Sequence, residues 1–218
     1  MEIEVLEGIF DANEIIAREN RAILDRFGVF MANVMSSPGA GKTSLILRTL
    51  EGVDGELSCA VIEGDIAGKV DSERIAERGV QAIQINTGGS CHLEAKQVNT
   101  ALERLDLEGT DLVVVENVGN LVCPAEFRLG EDLRVMILSV AEGHDKPLKY
   151  PLMFSECHVL IVNKVDLIPY TDFDLELLKE TVRKMNPPVE IFEVSCRTGE
   201  GILAWTEWLM ERVRGAVE

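Results

Sequence analysis

The sequence predicts an α/β fold, in which helices cover both faces of a doubly wound, mainly parallel sheet. Seven short apolar runs, each bounded by glycine or polar residues, have the length and composition of buried strands. Segments with helical periodicity separate several of these runs, and a glycine-rich segment follows the first one directly. Strands that alternate with helices are joined by right-handed crossovers, which make neighbouring strands parallel.

The chain begins with an amphipathic helix, because apolar residues recur at helical spacing from about 9 to 27 and Gly28 is placed to cap its end. Seven strands are expected after it, at 29–35, 57–63, 80–86, 111–117, 134–140, 158–164 and 189–194. Helices are expected at 42–51, 92–105, 172–185 and 200–214. The loops at 117–131 and 141–151 are the longest irregular stretches, and such loops usually carry function. We predict one domain over 1–218, made of the helix at 9–27 and a phosphate-loop domain at 29–214.

Composition narrows the class of partner. The 218 residues are 46% hydrophobic and 27% charged, and the net charge of −17 opposes binding to nucleic acid or to an anionic membrane surface. The first residues are acidic where a signal peptide is basic, and no apolar run reaches the roughly 18 residues of a membrane span. We expect a cytoplasmic protein. Its five cysteines form no CxxC pair and are expected to be reduced thiols.

The segment SSPGAGKT, residues 36 to 43, lies between a predicted strand and a predicted helix, which is the setting of a phosphate-binding loop. It departs from the common pattern at its entry, where Ser36 replaces glycine. Gly39 and Gly41 leave backbone amides open to phosphate oxygens, and Lys42 reaches the β- and γ-phosphates. The hydroxyl of Thr43 is placed to bind Mg²⁺. The residues predicted to bind nucleotide here are Ser37, Gly39, Ala40, Gly41, Lys42, Thr43 and Ser44.

A second motif indicates which base is bound. Asn163, Lys164 and Asp166 belong to NKVD, at the end of an apolar strand. An aspartate carboxylate there accepts two hydrogen bonds from guanine, a pattern that adenine does not offer, so we predict GTP. Asn163 is expected to position the base and the phosphate loop, while the stem of Lys164 covers the base. Ser195 and Cys196 follow the last strand, and a backbone amide of their loop is expected to contact guanine O6.

Two carboxylates are candidates for the metal and water of GTP hydrolysis. The run DLVVVENVG has the layout of a DxxG motif, with Glu116 in place of aspartate and with Gly119 placed to sense the γ-phosphate. Asp65 follows another strand and is expected to bind Mg²⁺ or to orient the attacking water; Asp71 is a weaker candidate. Asn120 stands where a water-positioning glutamine is expected, so unaided turnover should be slow. The predicted catalytic residues are Lys42, Asp65, Glu116 and Gly119.

Cys91 and His92 are adjacent in TGGSCHLEA, a pair that by itself is compatible with a metal site or with a buried cysteine beside a core histidine. Cys123 lies four residues beyond Gly119, in the loop expected to move with the γ-phosphate. Two thiolates and an imidazole suit Zn²⁺ or Ni²⁺ and suit Mg²⁺ poorly. Three ligands leave a position for water, for a partner's residue or for a second subunit.

The other cysteine and histidine residues are predicted to be structural. Cys157 and His158 introduce the strand that ends in NKVD and have no glycine-rich loop around them. Cys59 lies in an apolar strand and is expected in the core. His144, in the loop at 141–151, is expected to be solvated.

Five segments resemble the HypB family of hydrogenase maturation GTPases, in order and across nearly the whole chain: SSPGAGKT, INTGGSCHLEA, ENVGNLVCPAEF, EGHDKPLKYP and NKVD. CHLEA and ENVGNLVCP are far more specific than the general GTPase motifs. The resemblance implies a cytoplasmic GTPase that helps to insert nickel into the large-subunit precursor of NiFe hydrogenase, together with a HypA-like nickel metallochaperone. It also implies a dimer in the GTP-bound state and identifies Cys91, His92 and Cys123 as ligands of nickel or zinc.

Some members of that family carry an N-terminal CxxCGC motif or a histidine-rich nickel store. This sequence has no cysteine before Cys59 and only three histidines. The expectation is therefore that neither tight N-terminal nickel binding nor bulk storage occurs here, and that a partner supplies the nickel.

Three alternatives stay open. A urease-type nickel GTPase such as UreG shares the GTPase plan, but its expected motif is Cys-Pro-His, whereas Cys91 and His92 are adjacent here. A nucleotide or small-molecule kinase would need an arginine-bearing lid and would have no use for NKVD. A GTP-regulated dimer with a purely structural zinc site would use the same three residues, because zinc and nickel accept the same ligands.

Overall fold

The computed structural model describes residues 8–64 and 79–217. In this part of the chain all seven predicted strands are present: β1 (Phe30–Ser36), β2 (Cys59–Glu63), β3 (Gln81–Gln84), β4 (Leu112–Glu116), β5 (Leu133–Ser139), β6 (Val159–Asn163) and β7 (Glu190–Val194). They form one sheet in the order β3-β2-β4-β1-β5-β6-β7, and every pair of neighbours is parallel. The predicted fold class is confirmed.

The helices in the described residues are α1 (Gly8–Phe27), α2 (Lys42–Val53), α3 (Ala95–Leu102), α4 (Cys123–Glu126), α5 (Lys146–Lys149), α6 (Pro151–Glu156), α7 (Leu175–Met185) and α8 (Ile202–Val217), with 3-10 turns at Val140–Glu142 and Val165–Tyr170. The expected helix at 92–105 is shorter than predicted, because Glu94 caps it in a capping box with Gln97. The two long loops are more regular than expected. They contain α4 and α5, and α6 begins at the end of the second loop; each of these helices has a proline in its first turn, where the missing amide proton costs nothing.

The end of α1 follows the sequence prediction. Gly28 has a φ of 68°, and its amide donates to the Asp25 carbonyl at 3.2 Å. A glycine takes this left-handed conformation without the steric cost of a Cβ atom. The chain can therefore turn directly from α1 into β1.

The core lies on both faces of the sheet. On one face α2 and α8 pack on side chains of β1, β4 and β5, while on the other face α1 and α3 cover one half of the sheet and α6 and α7 cover the other. Every residue of β1, β4, β5 and β6 is buried, as expected for central strands of a parallel sheet with both faces covered. None of the helices in the described ranges combines the length and apolar character that a membrane span requires.

Parallel strands bring the predicted motifs to one edge. The carboxyl ends of β1, β4 and β6 lead into the phosphate loop, the ENVG segment and NKVD, respectively. The strand order reverses beside β1, and open α/β sheets bind ligands at such a point. This edge is therefore where the candidate sites are expected.

Candidate nucleotide and metal sites

The phosphate loop has the backbone conformation that its glycines predict. Gly39 and Gly41 have φ angles of +76° and +105°, in the left-handed region that side chains rarely adopt. A Cβ atom on Gly41 would stand 2.4 Å from Nδ2 of Asn163, so only glycine fits between the loop and that side chain. Lys42, the first residue of α2, is buried at the same place.

Side chains of NKVD hold the phosphate loop. Asn163 donates from Nδ2 to the carbonyl of Ala40 at 2.9 Å, and Lys164 donates from Nζ to the carbonyl of Gly39 at 2.8 Å. The amide of Cys196 donates to Oδ1 of Asn163 at 3.3 Å. The three segments predicted to bind the nucleotide are therefore joined to one another by hydrogen bonds.

Asp166 lines a cavity of about 380 Å³, together with Ser44 of α2 and with Cys196. The hydroxyl of Ser195 donates to Oδ1 of Asp166 at 2.7 Å, which holds the carboxylate in one orientation. Arg197 also lines the cavity, and one of its guanidinium nitrogens lies 3.8 Å from Oδ2 of Asp166. Arg197 was not among the predicted nucleotide-binding residues. The volume and the polar groups are in the range of small-molecule sites.

The two groups predicted to act on Mg²⁺ from α2 and β4 are in contact. The Thr43 hydroxyl donates to Oε1 of Glu116 at 2.9 Å. In the sheet, Glu116 of β4 is paired in register with Glu63 of the neighbouring strand β2. Both glutamates are buried. A hydroxyl beside buried carboxylates is an oxygen donor set of the kind that Mg²⁺ prefers, so these residues fit the ion. Asp65 and Asp71 lie outside the described residues.

Cys91, His92 and Cys123 come together although 32 positions separate the two cysteines. The sulfur atoms of Cys91 and Cys123 are 3.0 Å apart, and Nδ1 of His92 is 3.5 Å from Sγ of Cys91. One ligand atom from each residue lies within 4.8 Å of the others. Among the described residues, no other group of three cysteine, histidine or acidic side chains has this geometry.

Two asparagines that the sequence analysis did not assign to the metal site support this cluster. Asn117, directly after β4, accepts the amide of Leu93 at 3.1 Å and donates to Asn33 at 3.2 Å. It thereby fixes the residue next to His92 to the central strands. Asn120 approaches Sγ of Cys123 at 3.8 Å with its side-chain amide. The sequence offered a signal for Asn117, because an amide side chain at the end of an apolar, buried strand needs hydrogen-bond partners.

Comparison with known proteins identifies the family of this chain. Residues 30–193 match the family model described as the CobW/HypB/UreG nucleotide-binding domain. The hydrogenase maturation factor HypB of Azotobacter vinelandii is 50% identical over 214 residues, which are 98% of this chain and 70% of that protein. The chain belongs to the HypB family. HypB of Escherichia coli K12 is 46% identical over 207 residues, which are 95% of this chain and 71% of that protein.

Two solved HypB structures share the fold. HypB from Helicobacter pylori in complex with nickel superimposes with a TM-score of 0.89 at 36% identity, over 95% of this chain and 97% of that one. HypB from Archaeoglobus fulgidus gives a TM-score of 0.88 at 36% identity, over 93% and 99% of the two chains. The family suggested by the sequence resemblance is confirmed.

In this HypB family member, the turn that carries Cys123 is anchored by a residue that no motif indicated. Arg134 of β5 is completely buried and donates from Nη2 to the carbonyls of Pro124 and Ala125 at 2.9 and 2.8 Å. Its Nε lies 3.3 Å from a carboxylate oxygen of Glu131, which is also buried. Nothing in the sequence distinguished this arginine from a solvated one, because its contacts depend on how the turn nine and ten residues before it packs against β5.

The cysteines and histidines outside the cluster have structural roles. Cys157 is buried, and burial raises its pKa to about 12. His158 accepts the amide of Arg134 on Nδ1 at 3.1 Å. Cys59 begins β2 and packs against the core, where burial raises its pKa to about 12. His144 is a half-buried loop residue, and its Nδ1 accepts the amide of Asp174 at 3.1 Å.

Cys157 and His158 also border the larger cavity, of about 880 Å³, which opens at the amino-terminal edge of the sheet. None of the residues predicted to bind nucleotide or metal lines it. The smaller cavity is therefore the candidate nucleotide site, because its lining includes the predicted nucleotide-binding residues and it lies at the carboxyl edge of the strands.

The electrostatics of the cluster favour a neutral imidazole. Burial lowers the pKa of His92, and the nearby Glu94 and Glu126 only partly oppose this shift. A neutral imidazole is the form that binds a metal ion, so no proton has to leave this ring near pH 7. The hydrogen bond shared with the Cys91 thiol, together with burial, raises the pKa of Cys123, so metal binding here displaces a proton from the Cys123 thiol.

Proposed function

We propose that this protein is a GTP-hydrolysing metallochaperone that binds nickel or zinc and assists nickel insertion into NiFe hydrogenase during maturation. The observation that carries the proposal is the cluster of Cys91, His92 and Cys123 on segments that lead directly from the nucleotide edge of the sheet. The HypB family supports it, since the relatives from Azotobacter vinelandii and Escherichia coli are named hydrogenase maturation factors and the Helicobacter pylori structure is in complex with nickel.

GTP is the proposed nucleotide. The carboxylate of Asp166 faces a cavity beside the phosphate loop, and Ser195 holds it in place. In that position it accepts the N1 and N2 protons of guanine, while an adenine base presents an acceptor and so is disfavoured. Lys164 lies over the loop at the rim, where its stem covers the base.

Hydrolysis is proposed to use Lys42, Thr43, Glu116 and Gly119, with Asp65 orienting the attacking water. Mg²⁺, when bound, would neutralise charge on the β- and γ-phosphates. Thr43 would hold the ion and Glu116 a water beside it, a division of roles supported by their 2.9 Å contact. Lys42 binds the phosphates and the Gly119 amide senses the γ-phosphate. We expect slow turnover without a partner, because Asn120 turns towards Cys123 and not into a water-positioning role.

Nickel is the proposed cargo, and its affinity is proposed to depend on the nucleotide. Gly119 packs against Pro38 of the phosphate loop, and Cys123 follows four residues later. In the GTP state this segment would be ordered with Cys123 at Cys91 and His92. Hydrolysis would release it and lower the affinity for the metal, which is what delivery requires.

Partners complete the proposal. Three ligands leave the metal with an open position, which a second subunit of a GTP-dependent dimer or an accepting protein can fill. A HypA-like metallochaperone is the proposed source of nickel, and the hydrogenase large-subunit precursor is the proposed recipient. The net charge of −17 suits protein and cation partners in the cytoplasm better than nucleic acid or anionic membranes.

The test is a Ni²⁺ titration of the protein, once with a non-hydrolysable GTP analogue and Mg²⁺ and once with GDP. We expect binding to be tenfold tighter with the analogue, a coupling of about 1.4 kcal/mol. By reciprocity, bound nickel must then raise the affinity of the protein for the analogue by the same factor. An independent nucleotide titration checks this. Equal affinity in both states, with an ion that resists chelators, would instead indicate a structural zinc site in a GTP-regulated dimer.

A further inference from the structure

The turn that carries one proposed metal ligand packs on the ring of another. Phe127 directly follows α4, the turn that begins with Cys123. Its ring stacks on the imidazole of His92, with ring centroids 3.9 Å apart and planes at 29°. This contact joins the segment after β4 to the Cys91-His92 loop at the position of the cluster.

The stacking also keeps the His92 ring in one plane, in which Nδ1 faces a thiol. Nδ1 lies 3.5 Å from Sγ of Cys91, whereas Nε2 is buried and has no hydrogen-bond partner within the described part of the chain. Rotation about the second side-chain torsion of a histidine is soft, so the ring alone would not keep one orientation. A flat aromatic surface against its face limits that rotation.

We propose that Phe127 is a positioning residue for the Cys91, His92 and Cys123 cluster. It holds the imidazole with Nδ1 towards the sulfur atoms and docks the Cys123 turn on the Cys91-His92 loop. As far as it concerns metal, the inference rests on the proposed function. The docking itself is a property of the metal-free protein and can be measured separately.

The turn has a second anchor, so Phe127 can be changed without removing the whole segment from the fold. Arg134 holds the carbonyls of Pro124 and Ala125 from the side of the core. Phe127 is only half-buried, at the surface side of the same turn. Replacing it with leucine keeps apolar cover over His92 but removes the flat ring, while tyrosine keeps the ring.

The metal-free test is the rate of disulfide formation between Cys91 and Cys123. Diamide, an azo oxidant, takes two electrons and two protons from the thiols and becomes a hydrazine as the S–S bond forms. The sulfurs are 3.0 Å apart in the docked state, so the wild-type protein should cross-link readily. We expect Phe127→Leu to cross-link at least about fivefold more slowly and Phe127→Tyr to keep the wild-type rate.

The metal test uses the same variants. Mutation of a residue that orients a metal-binding histidine typically lowers the metal affinity 10- to 100-fold. Phe127→Leu should therefore bind Ni²⁺ about tenfold more weakly than the wild type, and Phe127→Tyr should bind it within about twofold of the wild-type affinity. In the Zn²⁺-loaded protein, ¹⁵N shifts of the His92 ring should report binding through Nδ1 in the wild type and a mixture of both nitrogens in Phe127→Leu. Affinity for GDP without nickel should be unchanged, because the Cys123 segment is released in that state.

Phe173→Leu is the matched control. Phe173 contacts His144 edge-on at 5.9 Å, so the same chemical change is made at a histidine–phenylalanine pair outside the cluster. The proposal would be overturned if Phe127→Leu kept the wild-type cross-linking rate and nickel affinity. It would also be overturned if Phe127→Tyr or Phe173→Leu lost as much cross-linking rate and nickel affinity as Phe127→Leu. If the wild type binds no nickel but cross-linking still depends on the ring, the proposed function fails while the docking by Phe127 stands.

Discussion

Gly119 lies against Pro38 so closely that a Cβ atom on Gly119 would stand 3.1 Å from the backbone nitrogen of Pro38. Pro38 belongs to the phosphate loop, and Gly119 begins the segment that leads to Cys123. The phosphate loop and the segment that leads to the candidate metal cluster therefore meet in close contact, through both the backbone and the ring of Pro38. A ligand that moves one of these segments must displace the other, because packed interfaces do not deform continuously.

Gly119→Ala should therefore weaken the binding of a GTP analogue. Overpacking costs about 1–3 kcal/mol, so the affinity for the analogue should fall at least about fivefold. The affinity for GDP, which lacks the γ-phosphate, should fall by less. Binding of fluorescent nucleotides measures both. Gly215→Ala on α8 is the control, since a Cβ atom there meets nothing within 4 Å. Equal effects on GTP analogue and GDP would remove the role assigned to Gly119.

Asp166→Ala should abolish the preference for guanine. The variant loses two hydrogen bonds to a charged acceptor, which together discriminate by about a hundredfold or more. Competition between GTP and ATP for the site measures the change. Asp172→Ala removes the same charge from a nearby exposed position and should leave the selectivity intact. Unchanged selectivity in Asp166→Ala would show that NKVD does not read the base.

Cys123→Ala should weaken Ni²⁺ binding by at least about tenfold, because it removes one of two thiolates from a three-ligand set. Isothermal titration of the protein with the GTP analogue bound measures the affinity. Cys59→Ala is a suitable control, since that thiol is at the start of β2 and outside the cluster. A Cys123→Ala protein with wild-type nickel affinity would break the link between the loop and the metal.

The five thiols should fall into two groups on alkylation. Burial raises the pKa of Cys59 and Cys157 to about 12 and that of Cys196 to about 11, so almost no thiolate is present near pH 8. Cys91 is exposed and should react first with iodoacetamide, followed by Cys123. Mass spectrometry of peptides gives the order. Prior loading with Ni²⁺ or Zn²⁺ should protect these two and leave the other rates unchanged.

Arg134→Met should lower the free energy of unfolding by about 3–5 kcal/mol, the usual cost of removing one partner from a buried ion pair. It would leave the carboxylate of Glu131 without its guanidinium and two carbonyls of the Cys123 turn without donors. Urea denaturation measures the loss. Arg18→Met, at an exposed ion pair on α1, should change stability by less than about 1 kcal/mol.

The sequence by itself determined the sheet, the phosphate loop and NKVD. These features are local, since an apolar run bounded by polar residues or a glycine-rich turn before a helix has the same meaning wherever it occurs. Parallel strands then placed the three nucleotide segments at one edge, as expected. The sequence also grouped Cys91, His92 and Cys123 as a candidate ligand set, because Cys123 lies in the loop expected to move with the γ-phosphate, and the family resemblance then identified the three as metal ligands.

Only the tertiary structure decided how the cluster is held together. Asn117 joins the loop of His92 to the central strands, Phe127 stacks on its ring, and Arg134 fastens the Cys123 turn from inside the core. Asn117 and Phe127 lie in the ENVGNLVCPAEF segment, but the segment does not say what these two side chains contact, and Arg134 lies in no motif. Their contacts are set by how the loops and turns pack on the sheet, which no local pattern encodes.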